Sequence, residues 1–215
     1  MKLYGYWRSS ASWRVRIGLN LKGVQVEQVP VHLVRDGGEQ KAAAHLQRNP
    51  MGQVPVLELE DGRHITQSLA ILSYLDEAFP EPPLLPTDPV ARAQVRSMTQ
   101  VINSGIQPLQ NLYTLRLIDA LGKDSSMWAS HHIARGLAAL ERMAEPLAGS
   151  YLMGDQITVA DLCLIPQLYN ARRFKIPLTK LATLTRVEES CREHPAFQDA
   201  VPERQPDAPD AASKG

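Results

Sequence analysis

The sequence predicts an α/β domain followed by an all-α domain, and three observations carry that prediction. Strand-like and helical segments alternate up to about residue 80. A proline-rich stretch, residues 81–88, is typical of an inter-domain linker. Beyond it, apolar residues recur at helical spacing. We therefore place a first domain at 1–80 and an all-helical second domain at 89–215, with a loose tail from about residue 202.

The first two predicted strands are residues 2–7, which are short and aromatic, and residues 26–34, which alternate apolar and polar side chains. Pro30 lies inside the second strand and has no N–H to donate to a sheet ladder. We therefore expect this strand at a sheet edge.

A hairpin and a helix complete the first domain. Residues 54–59 and 63–66 are strand-like and flank Asp61-Gly62, a strong turn signal. Residues 68–79 then show an apolar helical face.

The segment between the first two strands is ambiguous. Its apolar residues alternate strictly: Trp13, Val15, Ile17, Leu19 and Leu21. Period two favours a strand, yet Trp13, Ile17 and Leu21 are also four apart, and Lys22-Gly23 is typical of a helix end. Composition leaves both readings open, but a crossover between parallel strands needs a helix, so we predict one.

The second domain is predicted to contain four helices, at about 89–120, 125–145, 157–171 and 180–193. Asp88-Pro89 is a typical helix start, with Asp as N-cap and Pro at the first helical position. Thr158 followed by Asp161 resembles a capping box.

Composition excludes several classes of protein. Lys plus Arg and Asp plus Glu both number 23, a balance that argues against a dedicated nucleic-acid binder. No apolar run is long enough for a membrane span, and basic residues interrupt any N-terminal signal peptide. The two cysteines, Cys163 and Cys191, lack metal-binding spacing, so we expect no metal site, no disulfide scaffold and a cytoplasmic protein. Cys163 lies in an apolar run and is expected to be buried. Cys191 lies among charged residues and is expected at the surface.

Several blocks of residues resemble the zeta-class glutathione transferases, a family that includes maleylacetoacetate isomerases and bacterial maleylpyruvate isomerases. These blocks are 8–17 (RSSASWRVRI), 49–55 (NPMGQVP), 67–71 (QSLAI), 105–111 (GIQPLQN), 151–166, 170–174 (NARRF) and 204–207 (RQPD). The resemblance covers essentially the whole chain. It implies a thioredoxin-like N-terminal domain, an all-helical glutathione-transferase C-terminal domain, glutathione as cofactor and a homodimer.

The resemblance also implies the site residues. Ser9 and Ser10 would be catalytic, because a hydroxyl and a helix N-terminus both stabilise a thiolate; Ser9, Ser10 and Ser12 also suit plain helix capping. Arg8 and Arg173 would bind substrate carboxylates. The implied glutathione-binding residues are Ser9, Ser10, Gln40, Val54 before a cis proline, Gln67, Ser68, and Gln107 and Asn111 on one face of the long helix.

By the same resemblance, the expected activity is glutathione-dependent cis–trans isomerisation of a maleyl β-diketo dicarboxylate. The thiolate would add to the double bond, allow rotation and leave again. Maleylacetoacetate is the first expected substrate and maleylpyruvate the second. Glutathione conjugation or dehalogenation of α-halo acids is an alternative. Ala11 stands where the family usually has cysteine, and it motivates a further alternative, a non-catalytic glutathione-binding protein.

Overall fold

The computed structural model describes residues 1–209, which form two units. The first joins Met1–Pro83 with residues 194–209, and the second is Leu84–Glu193. The first unit contains a mixed sheet with helices and the second is helical, so the predicted fold class is confirmed. Residues 89–215 were predicted to form the second domain, and of these the contacts of residues 194–209 group them with the first unit.

The first unit is built on a four-stranded sheet. Its strands are β1 (Lys2–Gly5), β2 (Glu27–Pro30), β3 (Val56–Glu58) and β4 (His64–Thr66). They lie in the order β2-β1-β3-β4, with β2 parallel to β1 and the other pairs antiparallel. Pro30 thus lies in an edge strand, as predicted. The hairpin is confirmed too: Gly62 takes a left-handed φ of 82° and donates its N–H to the Leu59 carbonyl at 3.1 Å.

The ambiguous segment forms a helix, α1 (Ser10–Leu21), between the parallel strands β1 and β2. Every residue from Ser12 to Leu19 is buried, the two arginines included. A helix buried on all sides has no solvent-facing polar stripe, which is why its sequence lacks a clear helical period. Gly23, with φ 64°, follows its end, as Lys22-Gly23 predicted.

The connection between β2 and β3 contains elements that the sequence analysis did not assign. Two single-turn 3-10 helices, Arg35–Gly37 and Glu39–Lys41, are followed by the short helix α2 (Ala43–Arg48). Such short elements have too few residues to show a hydrophobic period. After β4 comes α3 (Ser68–Ala78), which packs against α1.

The second unit contains five α-helices. They are α4 (Pro89–Asn103), α5 (Leu112–Ala120), α6 (Ser125–Ala144), α7 (Val159–Arg173) and α8 (Ala182–Glu193). The prediction of one helix over 89–120 is wrong, because α4 ends at Asn103 and α5 begins at Leu112. Pro108 lies in the break and has no N–H for a helical hydrogen bond. Gly105 is also tightly placed: a Cβ there would lie 2.6 Å from the Val101 carbonyl oxygen.

Predicted caps open two of these helices. Asp88 caps α4 by accepting the Ala91 N–H at 2.8 Å. At α7, Thr158 and Asp161 form the predicted capping box. The fully buried Asp161 carboxylate accepts from the Thr158 N–H at 2.7 Å, the Thr158 hydroxyl at 2.9 Å and the Leu152 N–H at 2.8 Å.

Both cysteines are buried. This confirms the prediction for Cys163. The prediction of a surface position for Cys191 is wrong, because Leu184, Val187 and Cys191 lie on one buried face of α8, and this face also contains the buried Glu188, which is paired with Arg172.

The chain returns to the first unit through α9 (Pro195–Gln198) and a 3-10 turn, Pro202–Arg204. Ala196, Phe197, Ala200 and Pro202 are buried. The predicted loose tail makes defined hydrogen bonds up to Ala208, whose N–H donates to the Gln205 carbonyl at 3.0 Å. The rest of that prediction, residues 210–215, lies outside the described residues. Within the described part of the chain, no helix combines the length and apolar character that a membrane span needs.

Candidate active site

The three serines at the start of α1 have different environments. Ser9 is the N-cap of α1, and its hydroxyl oxygen accepts the Ser12 N–H at 3.2 Å. Ser12 is fully buried, and its own hydroxyl oxygen accepts the Tyr6 N–H at 3.4 Å. Ser9 and Ser10 are half-exposed. Burial therefore removes Ser12 from contact with a ligand and leaves Ser9 and Ser10.

The backbone of Ser9 is fixed on both sides. Its N–H donates to the Tyr6 carbonyl at 3.0 Å, and its carbonyl accepts from Trp13 at 2.8 Å. Capping uses a lone pair of the Ser9 hydroxyl oxygen, so the hydroxyl hydrogen is still available for donation. A sulfur anion placed there would receive this hydrogen bond and the favourable field of the α1 N-terminus.

Ala11 follows in the first turn of α1 and is half-exposed. Its methyl group offers neither a thiol nor a hydroxyl. Among residues 9–12, the side-chain hydroxyls that a ligand could reach are therefore those of Ser9 and Ser10.

Val54 lies two residues before β3, outside the pairing of β3 with β1 and β4. The Val54–Pro55 peptide bond is cis, as the resemblance implied. The preceding Gln53 carbonyl oxygen accepts the Asn49 side-chain amide at 2.8 Å and lies 2.9 Å from His45 Nε2. Both side chains are buried, so two buried polar contacts fix the backbone that leads into Val54.

Gln67 and Ser68 form the start of α3. Gln67 has φ 66° and ψ 113°, a left-handed region that favours glycine. Strain of this kind is kept where surrounding structure imposes it, often at ligand sites. No side chain caps α3, so its first N–H groups remain available to an anion. Ser68 itself is buried.

Gln40 lies in the 3-10 turn Glu39–Lys41 and is 9% exposed. Its Nε2 donates a long hydrogen bond of 3.4 Å to the Leu33 carbonyl. Its Oε1 is buried and has no hydrogen-bond partner among residues 1–209. A buried acceptor in this state fits a ligand with N–H groups, such as a peptide. Gly38 makes room for the amide, since a Cβ there would lie 2.5 Å from it.

Arg8 directly precedes the serines. Its guanidinium lies over the Trp7 ring, 5.2 Å from the ring centroid, and the side chain is half-exposed. The indole face thus orients the cation of the residue that directly precedes Ser9 in the chain.

The remaining predicted site residues belong to the helical unit. Gln107 and Asn111 were predicted to share one face of a helix. This is wrong, because both lie in the break between α4 and α5. Asn111 is the N-cap of α5 and accepts the Tyr113 N–H at 2.9 Å. Arg173, at the end of α7, is exposed and donates to Asn170 Oδ1 at 3.1 Å.

Arg172, which the sequence analysis did not choose, is committed elsewhere. Its guanidinium makes a bidentate contact with the buried Glu188 carboxylate, at 2.6 and 2.5 Å.

Within the described residues, no group of three or more His, Cys, Asp or Glu side chains is arranged to hold a metal ion.

The sequence analysis missed residues that support the site. His45 and Asn49 hold Gln53, and the signal for Asn49 was its place in the block NPMGQVP. His45, in an unassigned segment, gave no signal. Separately from this set, Gln110 and Gln167 pair their side-chain amides at 3.0 and 3.1 Å and so join the segment before α5 to α7; Gln167 is fully buried.

Comparison with known proteins decides the family. The family model for the glutathione S-transferase N-terminal domain matches residues 1–77, and that for the C-terminal domain matches residues 128–197. The chain is 49% identical over 208 residues to maleylacetoacetate isomerase of Rattus norvegicus, covering 96% of this chain and 94% of that protein. It also resembles the holo structure of a maleyl pyruvate isomerase, described as a bacterial glutathione-S-transferase in the zeta class. The identity is 38%, the TM-score is 0.92, and 97% of this chain and 100% of that chain are covered. The chain belongs to the zeta class of the glutathione S-transferase family.

For this zeta-class chain, the thioredoxin-like N-terminal domain and the helical C-terminal domain are thereby confirmed. A further similar structure is maleylacetoacetate isomerase from Anaeromyxobacter dehalogenans 2CP-1 with GSH bound in its active site. It is 52% identical, with 97% of each chain covered and a TM-score of 0.88.

Proposed function

We propose that this zeta-class chain is a glutathione-dependent cis–trans isomerase of a maleyl β-diketo dicarboxylate, with maleylacetoacetate as its substrate. One observation carries the proposal. Ser9 and Ser10 lie half-exposed at the N-terminus of α1, in a chain nearly half identical to a maleylacetoacetate isomerase. Maleylpyruvate is the second candidate, since the zeta-class structure with a TM-score of 0.92 is a maleyl pyruvate isomerase.

The described residues of the first unit fit glutathione, a tripeptide with two carboxylates. The uncapped N-terminus of α3, at Gln67 and Ser68, suits a carboxylate. The peptide groups of Val54 lie outside the β3 ladder and suit a peptide backbone. The buried Gln40 Oε1 suits an N–H donor. When bound, glutathione supplies a thiol whose anion adds to the cis double bond and leaves after rotation.

The chain's own residues then have separate tasks. The Ser9 hydroxyl donates to sulfur and, with the α1 N-terminus, lowers the thiol pKa. Ser10 lies one residue further along the same turn and is the second candidate donor. Arg8 and Arg173 pair with the substrate carboxylates, a role that suits a planar guanidinium. Gln107 and Asn111, in the helical unit, are the remaining proposed glutathione-binding residues.

Two further expectations belong to this proposal. We expect a homodimer, which sedimentation equilibrium at several concentrations would test by mass. We also expect a cytoplasmic location, consistent with two buried thiols that need no oxidising compartment. Cell fractionation would test it.

The direct test supplies maleylacetoacetate and maleylpyruvate separately, with and without glutathione, and follows the enol absorbance. We expect glutathione-dependent conversion, faster with maleylacetoacetate. A faster reaction with maleylpyruvate would reassign the substrate. Glutathione consumption with α-halo acids but no isomerisation would favour conjugation or dehalogenation. Glutathione binding with neither reaction would favour a non-catalytic binding protein.

A further inference from the structure

The segment near the chain end contacts the backbone that leads into the proposed active site. The Trp7 N–H donates to Asp207 Oδ2 at 2.9 Å, across 200 residues of sequence. The Trp7 carbonyl accepts from Arg16 Nη2, also at 2.9 Å. Both peptide groups of this buried residue are therefore held by side chains rather than by the sheet.

Arg16 makes a second link, in addition to Asp207, between Trp7 and the segment that follows His194. Its Nε and Nη2 donate to the Ala200 carbonyl at 3.2 and 3.1 Å. The side chain is 5% exposed, and this burial lowers the pKa of Arg16 to about 10, while the charge of Asp207 opposes the shift. Arg16 is therefore charged at neutral pH and supplies three charge-assisted hydrogen bonds.

The segment that carries Asp207 is itself fixed to the first unit. Asn20 Nδ2 donates to the Ala196 carbonyl at 3.0 Å, and α9 packs against α1. Ala196, Phe197 and Ala200 are buried. Asp207 thus approaches Trp7 from an anchored segment.

Trp7 is well placed to transmit this constraint. It is followed by Arg8 and then Ser9, and its ring carries the Arg8 guanidinium. The neighbouring Tyr6 carbonyl accepts the Ser9 N–H at 3.0 Å. A shift of the Trp7 backbone would move both the candidate sulfur partner and the candidate carboxylate partner.

We propose that Asp207 and Arg16 are positioning residues, which hold Trp7 so that Ser9 faces the glutathione sulfur and Arg8 the substrate carboxylate. This inference rests on the proposed function. A small displacement of catalytic groups can cost about 100-fold in rate, so loss of the contact should lower kcat by about 10- to 100-fold.

The test compares Asp207→Ala, Asp207→Asn and a control, Arg204→Ala, which removes only an exposed ion pair with Asp199 in the same segment. Three quantities are measured on the full chain: the pKa of the bound glutathione thiol from thiolate absorbance, kcat and KM for isomerisation, and hydrogen exchange of the Trp7–Ser10 amides. Asp207→Ala should raise the thiol pKa, lower kcat more than it raises KM, and speed exchange. Asp207→Asn keeps an oxygen that accepts the Trp7 N–H, so its thiol pKa, kcat and exchange rates should be close to the wild-type values. Arg204→Ala should match the wild type in all three.

A folded Asp207→Ala variant with wild-type exchange at Trp7–Ser10 would overturn the proposal. So would faster exchange with an unchanged thiol pKa and kcat, since Asp207 would then be merely structural. Equal impairment in Asp207→Asn would also contradict it. If the wild type itself failed to lower the thiol pKa, the proposed function would fail, while the exchange comparison would still decide whether Asp207 holds the Ser9 segment.

Discussion

The side-chain amide of Asn49 donates a hydrogen bond to the Gln53 carbonyl oxygen across 2.8 Å. His45 Nε2 lies 2.9 Å from the same oxygen, and since a carbonyl only accepts, Nε2 carries the proton. One carbonyl thus receives two buried donors immediately before Val54. The proposed contact with the glutathione backbone depends on this arrangement.

Asn49→Ala should therefore weaken glutathione binding. It removes one buried donor, which should lower the free energy of unfolding by about 1–3 kcal/mol, and it releases the backbone before Val54. We expect a KM for glutathione raised by about tenfold with a smaller change in kcat. Steady-state kinetics and chemical denaturation measure both. Gln47→Ala, an exposed change in α2 two residues before Asn49, is the control, and an unchanged KM in Asn49→Ala would contradict the assignment.

Ser9→Ala should impair both the cap and the chemistry. Loss of the cap should cost about 1 kcal/mol of stability. Loss of the hydroxyl donor should raise the bound thiol pKa and lower kcat by about 10- to 100-fold. Ser9→Thr, which keeps a hydroxyl, should retain most activity. Thiolate absorbance against pH separates the two effects, because a cap alone leaves the thiol pKa unchanged.

Ser10→Ala is the matched comparison for Ser9. It leaves the N-cap hydroxyl in place, so we expect a smaller rise in thiol pKa. A larger effect in Ser10→Ala than in Ser9→Ala would transfer the sulfur contact to Ser10.

Asp161 should make stability depend on pH in a defined direction. Burial raises its pKa from 3.8 to about 6, although three hydrogen bonds oppose the shift. Between these two values the folded chain keeps a proton that the unfolded chain has released, so the Asp161 contribution to stability falls as pH rises from about 4 to 6. The separation of about two pH units corresponds to about 3 kcal/mol.

Asp161→Asn isolates this contribution from other titrating groups. The wild type should lose stability relative to the variant as denaturation is measured from pH 4 towards pH 7. A difference that stays constant, or changes in the opposite sense, would contradict the raised pKa.

Neither cysteine should react with a thiol reagent in the folded chain. Cys163 and Cys191 are both fully buried, and burial further raises the pKa of Cys191. Reaction with a chromogenic disulfide should be slow in buffer and should titrate both thiols in denaturant. Rapid modification of one thiol in the native protein, located by peptide mass, would show that its face of the helix opens.

Much of the first unit could be predicted from local pattern. Pro30 indicated that β2 lies at a sheet edge, Asp61-Gly62 indicated the hairpin, and Ser9 is the cap at the start of α1. The helical character of α1 could not be derived from its own periodicity, because it is buried on every side. The requirement for a crossover between parallel strands decided it.

The errors have physical causes. The break after α4 contains its own signals, Gly105 and Pro108, which the prediction of one helix over 89–120 did not use. Cys191 was judged by its charged sequence neighbours, although Leu184, Val187 and Cys191 share one helix face. The contact of Asp207 with Trp7 joins residues 200 positions apart, and no local pattern reports such a pairing.

In the proposed reaction, glutathione acts catalytically on a maleyl dicarboxylate bound by this chain. The most direct measurement supplies maleylacetoacetate in tenfold excess over glutathione and quantifies both product and remaining thiol. We predict complete conversion to the trans isomer, many turnovers for each glutathione molecule, with the thiol undiminished at the end. Conversion that stops at one product per glutathione, or that proceeds equally without it, would contradict the claim.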